Sequence, residues 1–322
     1  MVESMQSQAD RSEKLLDVIV IACPGQGSQT PGFLADWMED DAARSFLGTA
    51  SEASGVDLIA HGTTSDADTI RATEIAQPLI VAASILTWRA LSTRVNLADV
   101  GVAGHSVGEF AAAAAAGVFS EVDAVRLVGV RGRAMAEAAS TEKTGMSAVV
   151  GGVEQDVLAS IEAAGLTAAN RNGGGQIVAA GAIGALESLA ENAPRGARVI
   201  PLQVAGAFHT AYMASAVPVL AQAASTMNIS DPSHKLWSNA DGELVSSGSA
   251  FRDSLVSQVA HPVRWDACME SFTAAGITGL IELAPAGALT GIAKRGLKGI
   301  PSVAVKTPAD LDAAVQLIAD AA

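Results

Sequence analysis

Cysteine is nearly missing from these 322 residues, with Cys23 and Cys268 the only two. Two thiols so far apart give no disulfide framework and no metal-ligand spacing, and the five scattered histidines do not supply a metal motif. Basic residues are also scarce, 20 against 34 acidic, for a net charge of −14. Nucleic acid and anionic membranes both require a basic face, so neither fits this chain as a partner. An acidic protein partner would need a local basic patch. Long hydrophobic runs are absent as well. The longest small-apolar run, Phe110 to Phe119, is alanine-rich and far short of a bilayer span, which predicts a buried helix. The opening segment, Met1 to Lys14, is polar and lacks the apolar centre of a signal peptide. Residues 1–17 are therefore expected to be a flexible extension, and the protein to be cytoplasmic.

What the chain does have is small aliphatic residues: 49% are hydrophobic while only 4% are aromatic. Apolar runs alternate with glycine-rich turns and amphipathic helical patterns, which predicts an α/β fold with a mainly parallel sheet covered by helices. Val18 to Ala22 has the continuous apolar character of a strand buried on both faces. It empties into Pro24-Gly25-Gln26-Gly27-Ser28-Gln29, a loop whose backbone can approach a ligand closely. No Gly-Lys-Ser/Thr follows, so this is not a phosphate loop.

A second apolar run, Val100 to Gly104, leads into Gly104-His105-Ser106-Val107-Gly108-Glu109 and then an alanine-rich helix. This is the pattern of a serine on a tight strand-to-helix turn. The crowded backbone needs flanking residues without side chains, the turn exposes Oγ, and the following helix aims free N–H groups and a partial positive charge at the same place. A Ser–His pair requires a base, and His209, in Val204-Ala205-Gly206-Ala207-Phe208-His209-Thr210, lies between an apolar run and a new helix predicted over Ala211 to Met227. Projection into a cleft and capping of that helix are both open to it. His105 is expected to point elsewhere on the turn.

Helical segments are predicted over Thr73 to Leu91, with Pro78 near its first turn, and over Val122 to Ala139. The second holds three arginines. At about 100° per residue, Arg126 and Arg133 lie within roughly 20° of one another and Arg131 about 140–160° away. Arg131 therefore falls on the apolar face, beside Leu127, Val128 and Met135. A lone guanidinium there is costly unless something anionic meets it, either a buried Asp or Glu or a ligand. From Gly145 the texture changes: strands over Met146–Gly151, Thr167–Asn172, Gln176–Gly181 and Ala197–Val204 alternate with helices over Val153–Ala164 and Ile183–Asn192. This β-α-β-β-α-β order is that of a ferredoxin-like unit. Further on come a strand at Leu236–Asn239, a helix over Phe251–Val259, a strand at Gly279–Leu283 and a helix ending in Lys294-Arg295. With Lys298, that end is the clearest basic cluster in the chain.

Several separated motifs together resemble the malonyl-CoA:acyl-carrier-protein transacylases of bacterial type II fatty-acid synthesis. They are Pro24-Gly25-Gln26-Gly27-Ser28-Gln29, Gly104-His105-Ser106-Val107-Gly108-Glu109, Arg131-Gly132-Arg133, Gly206-Ala207-Phe208-His209, and Gln258 ahead of Pro262-Val263-Arg264-Trp265. They keep the family order over residues 18 to about 306. The resemblance implies an α/β-hydrolase-like catalytic domain over 18–143 and 206–322, with a ferredoxin-like subdomain over 144–205. It implies Ser106 as nucleophile, His209 as base and the N–H groups of Gln26 and Val107 as oxyanion hole. Arg131 would hold the malonyl carboxylate, Gln258 and Asn239 would help shape the site, and Phe208 would disfavour a branched acyl group. The histidine would be oriented by a main-chain carbonyl near Gln258, with no third acidic member.

The implied reaction moves malonyl from malonyl-CoA onto Ser106 and then to the phosphopantetheine thiol of acyl carrier protein, without a metal or cofactor, in a monomer. The Lys294/Arg295/Lys298 cluster is the expected docking surface for that carrier. Two features depart from the family: Pro285-Ala286-Gly287 replaces the usual Pro-Gly pairing, and His261 precedes Pro262 where asparagine is common. A serine thioesterase would share the Ser–His pair but has no need of Arg131. A trans-acting acyltransferase of a polyketide pathway would share all of it.

Overall fold

The computed structural model describes residues 18–321, so the extension expected over 1–17 lies outside the described residues. Among these residues run ten strands: β1 Val18–Cys23, β2 Gly101–Gly104, β3 Thr144–Gly151, β4 Thr167–Gly173, β5 Gln176–Ala182, β6 Ala197–Pro201, β7 Lys235–Trp237, β8 Val263–Arg264, β9 Ile277–Glu282 and β10 Ser302–Ala304. They form two sheets, ordered β10-β9-β1-β2-β7 and β6-β3-β5-β4-β8.

Every pairing in the first sheet is parallel, and both central strands are buried along their whole length, as their unbroken apolar sequences require. Gly101 lacks a side chain because the Trp237 ring occupies that space; a Cβ there would meet Cζ3 at 2.4 Å. The helix Thr73–Ser92 is long and apolar enough to cross a membrane, but 72% of its most apolar stretch is buried inside the protein, so it serves here as a core helix. Pro78 lies inside this helix, five residues after Thr73, and so neither starts nor breaks it. It removes one backbone donor near the helix start, a small loss beside the burial of both flanks. The helix predicted over Ala211–Met227 is two pieces, a 3₁₀ turn at Ala211–Met213 and a helix at Ala216–Ala224. Pro218 explains the division, since proline is accommodated in a first turn and so marks a fresh start.

The second sheet is antiparallel through β6, β3, β5 and β4, with β3 pairing Met146 to Ala180 and Ala148 to Val178. The order β6-β3-β5-β4 is that of the predicted ferredoxin-like unit. Two strands were not foreseen: β10, which follows the strand expected to be last and pairs with β9 in the first sheet, and β8, which comes from far downstream and adds in parallel to β4, setting Asn170 against Val263 and Arg171 against Arg264. Alternation across the sheet separates two environments. Val149, Ile177 and Ala179 face the helices Glu154–Ala163 and Ile183–Glu191, packing on Val157, Ile161 and Leu186. Met146, Ala148 and Val178 face the opposite way, into a cavity shared with the parallel sheet.

The parallel sheet places β1 and β2 side by side with Cys23 opposite Gly104, so the loops leaving both strands emerge together. This is the crevice at the carboxyl ends of parallel strands where α/β proteins hold ligands. The turn after β2 fits only because two positions lack side chains. A Cβ on Gly104 would lie 2.1 Å from the Gly108 carbonyl carbon, and one on Gly108 would lie 2.1 Å from the Cys23 carbonyl oxygen. Those contacts are with backbone and cannot yield. Gly108→Ala should therefore lower unfolding free energy by about 3 kcal/mol or more in urea titration, the upper end of overpacking effects. A value below about 1 kcal/mol would show that the turn can shift away from β1.

Candidate active site

Ser106 occupies the turn with φ of 52°, the left-handed conformation of a strained strand-to-helix elbow. Its N–H donates to Asn239 Oδ1 at 2.7 Å, and its Oγ lies 2.7 Å from His209 Nε2. His209 also has a positive φ, 61°, and its Nδ1 lies 2.8 Å from the carbonyl oxygen of Gln258. A carbonyl can only accept, so Nδ1 carries the proton and Nε2 is left bare toward the serine hydroxyl. Among the described residues no acidic side chain touches the imidazole; a main-chain oxygen at a helix end takes that place. Burial, with Arg131 adding to it, pushes the His209 pKa down to about 3, so the ring is neutral at physiological pH.

Arg131 is 1% exposed, yet no carboxylate stands within ion-pair distance among the described residues. Its partners are neutral. Nη1 donates to Gln77 Oε1 at 2.6 Å and Nη2 to Gln258 Oε1 at 3.1 Å, with Ser106 Oγ 3.4 Å from Nη2. The guanidinium carbon lies 5.7 Å from the Phe110 ring centre, and Nε has no partner. Burial pulls the Arg131 pKa down to about 10, which still leaves the group cationic at neutral pH. The helical geometry of the sequence thus put Arg131 on the buried face correctly, but of the two anions open to it, an internal Asp or Glu is not at hand.

A cavity of about 420 Å³ joins these groups. Its walls include Gln26, Val107, Met135, Phe208 and Val204 as well as Ser106, His209 and Arg131. The main-chain N–H groups of Gln26 and Val107 have no hydrogen-bond partner among the described residues, so both are available to an oxyanion. His105 departs from the sequence reading: its ring also lines this cavity, with Nε2 2.8 Å from Asn172 Oδ1 on β4 and Trp265 edge-on at 5.8 Å. That contact spans the two sheets. Asn239 and Gln258 lie behind the wall rather than on it. Asn239 is fully buried, donating from Nδ2 to Gly104 O at 2.8 Å, so it braces the elbow and does not reach a ligand. Gln258 connects more groups than any other residue here: its carbonyl receives His209, its Oε1 receives Arg131, and its Nε2 donates to Ser106 O at 3.3 Å and to Glu109 Oε2.

Two members escaped the sequence reading. Gln77 looked like an ordinary helix residue before a proline. Glu109 was visible in the serine motif, but nothing in its spacing showed that it would be 1% exposed, with burial raising its carboxyl to about 8.

Comparison with known proteins shows the family. A family model for the acyl transferase domain matches residues 20–313. The chain is 51% identical over 297 residues to the malonyl CoA-acyl carrier protein transacylase of Mycobacterium tuberculosis, covering 92% of this chain and 98% of that protein. It is 34% identical over 301 residues to the transacylase of the same name from Escherichia coli, covering 91% and 97%. Among solved structures it resembles MCAT from Mycobacterium tuberculosis with a TM-score of 0.90 at 51% identity, over 92% of this chain and 99% of that one. It also resembles a malonyl-transacylase in complex with a type II polyketide synthase acyl-carrier protein, with a TM-score of 0.87 at 32% identity, over 93% and 99%. A match over nearly the whole length of chain and relatives alike makes this protein a member of the malonyl CoA-acyl carrier protein transacylase family, and an acyltransferase.

Proposed function

We propose that the chain transfers malonyl from malonyl-CoA to the phosphopantetheine thiol of an acyl carrier protein through a malonyl-serine intermediate. The observation that carries this reading is the position of Arg131: a buried cation with no carboxylate in ion-pair contact among the described residues, its Nη2 3.4 Å from the nucleophile oxygen. An acyl group bearing its own carboxylate fits that arrangement, and the names of the relatives point the same way.

His209 Nε2 takes the Ser106 proton as Oγ bonds to the thioester carbonyl carbon. The developing oxyanion is received by the N–H groups of Gln26 and Val107. Collapse breaks the carbon–sulfur bond, and the CoA thiolate takes the proton from His209. The carrier thiol then attacks malonyl-serine, giving its proton to His209, and Ser106 recovers it as it leaves. Arg131 contributes twice. It holds the carboxylate, and its charge is one cause of the low His209 pKa; a carboxylate bound to it offsets that charge and strengthens the base only when a carboxylated substrate is present. Base, oxyanion donors and carboxylate receptor all come from one chain, so the reaction as written needs no cofactor and the monomer suffices. Phe208, 6% exposed on the cavity wall beside His209, is placed to crowd a branched acyl group.

The carrier would dock at the exposed Lys294, Arg295 and Lys298. None of the three forms an ion pair among the described residues, and the helix Ala288–Gly296 that bears Lys294 and Arg295 lines the cavity through Ala288, Leu289 and Ile292. Fatty-acid synthesis is the pathway we assign; the neighbour bound to a polyketide carrier makes a polyketide carrier the second reading.

Intact mass after brief mixing with malonyl-CoA should show a malonyl-sized adduct on the wild type and none on Ser106→Ala, and the adduct should pass to carrier protein. Steady release of CoA with no adduct would instead mean that water is the acceptor, as in a thioesterase. Arg131→Ala should lower kcat/KM for malonyl-CoA by roughly a hundredfold, the worth of a charge-assisted pair, while acetyl-CoA gains relative to it. The rate of adduct formation should stay level from about pH 5 to pH 8, because a histidine with a depressed pKa keeps its base form throughout. An acid limb centred near 6.5, the ordinary histidine value, would contradict a buried neutral base. Lys294→Glu with Lys298→Glu should raise KM for the carrier and leave adduct formation unchanged; an unaltered carrier KM would move the docking surface elsewhere.

A further inference from the structure

We propose that Glu109 is a positioning residue that fixes the Gln258 carboxamide and, through it, the guanidinium of Arg131. The proposal rests on the reading of Arg131 as receptor for the acyl carboxylate.

A carboxamide can sit in either of two orientations related by a half-turn, and only its neighbours decide between them. Here they decide unambiguously. Oε1 of Gln258 faces Arg131 Nη2, a group that can only donate. Nε2 donates to the Ser106 carbonyl oxygen and to Oε2 of the Glu109 carboxyl group. The reverse orientation would set an NH₂ against the guanidinium. The Ser106 carbonyl, at 3.3 Å, is the longer of the two contacts, so the Glu109 carboxyl group holds the amide in place.

Glu109 has no other use visible in the site. It does not line the cavity that holds Ser106, and no cation forms an ion pair with it among the described residues. Its side chain instead reaches a separate rear cavity, also bordered by Ser238, Ser257 and Gln258. Its second oxygen, Oε1, accepts the Asn239 N–H at 2.7 Å, and Asn239 in turn holds the Ser106 N–H. The two oxygens of one carboxyl group therefore lead, through Gln258 and Asn239, to the guanidinium of Arg131 and to the Ser106 turn. Sequence accounts for the reach: Glu109 opens the helix after the elbow, its own N–H donating to Ser106 O at 3.0 Å, so nucleophile and carboxylate move as one body.

Such a residue should act on carboxylate recognition more than on chemistry. The test compares malonyl-CoA with acetyl-CoA in adduct formation by wild type, Glu109→Gln and Glu109→Asp. Glu109→Gln keeps shape but can present an NH₂ to the Gln258 amide. It should raise KM for malonyl-CoA about tenfold with a smaller change in kcat, and leave the acetyl-CoA KM where it was. Glu109→Asp keeps a carboxyl group but withdraws it from the amide, and should fall between wild type and Glu109→Gln; it carries the test if Glu109→Gln does not fold. Parallel loss with both substrates, or no change with either, overturns the proposal. A wild type that forms no malonyl adduct overturns instead the functional reading beneath it.

Discussion

Among the described residues the guanidinium of Arg131 has no carboxylate in ion-pair contact, although it lies in the interior, and much of the site is arranged around that charge. Isolated burial of a cation is expensive, and the protein meets the expense with neutral groups: two carboxamide oxygens and the face of Phe110. A direct ion pair would have used up the charge that, on the reading proposed above, receives the substrate carboxylate. Glu109 is kept one residue away, on the far side of Gln258, where it steadies the arrangement without cancelling the cation. The same charge reaches the imidazole, where it adds to burial in holding His209 neutral.

A second constraint is geometric. Ser106 and His209 both hold left-handed backbone, which non-glycine residues adopt only when the surroundings enforce it. At the serine the enforcement is visible: Gly104 and Gly108 fit against neighbouring backbone, and Asn239 fastens the Ser106 N–H from beneath. The opposite wall is fastened by another buried carboxylate. Glu282, at the end of β9, accepts the N–H groups of Gly287, Leu289 and Thr290, so the helix that lines the cavity starts from a fixed point. Ala286, in the Pro285-Ala286-Gly287 segment ahead of that helix, takes φ of 49° within that clamp. Four amide or hydroxyl donors on one carboxylate explain how a non-glycine residue is held there.

The strong periodic signals in the sequence became the elements they indicated. The all-apolar β1, the short apolar strands β3 and β5 and the helix carrying Arg131 were legible because each obeys a local rule of burial. The elbow was legible for a similar reason, since two glycines around a serine between strand and helix leave few alternatives. What was not legible depends on distance in sequence. The two-residue strand β8 has no pattern of its own and exists because β4 offers it an edge. The helix Asp41–Ser54 was passed over although Asp40 caps its first turn and Gly55 closes it, since its apolar positions are mostly small. Asn239 looked like a cavity residue because it stands at a strand end, yet it is pulled under the elbow by Gly104 and Ser106. His105 looked idle beside the serine until Asn172, from the other sheet, gave its ring a partner. Glu109 could be seen but not interpreted, because its meaning lies in Gln258, 149 positions away.

That dependence on Gln258 has a consequence for how selection and reactivity are related. Its backbone oxygen sets the tautomer of His209, and its side chain sets Arg131, so the two cannot be displaced independently. A helix-end shift that spoiled the base would spoil the carboxylate receptor in the same movement. The electrostatics couple them again in the other direction, since neutralising Arg131 with a substrate carboxylate removes one of the causes that depress the imidazole. A neutral acyl group would gain neither the grip nor the stronger base. Discrimination in such a site is therefore expressed in the transition state as well as in binding, which is where an acyltransferase gains most from it.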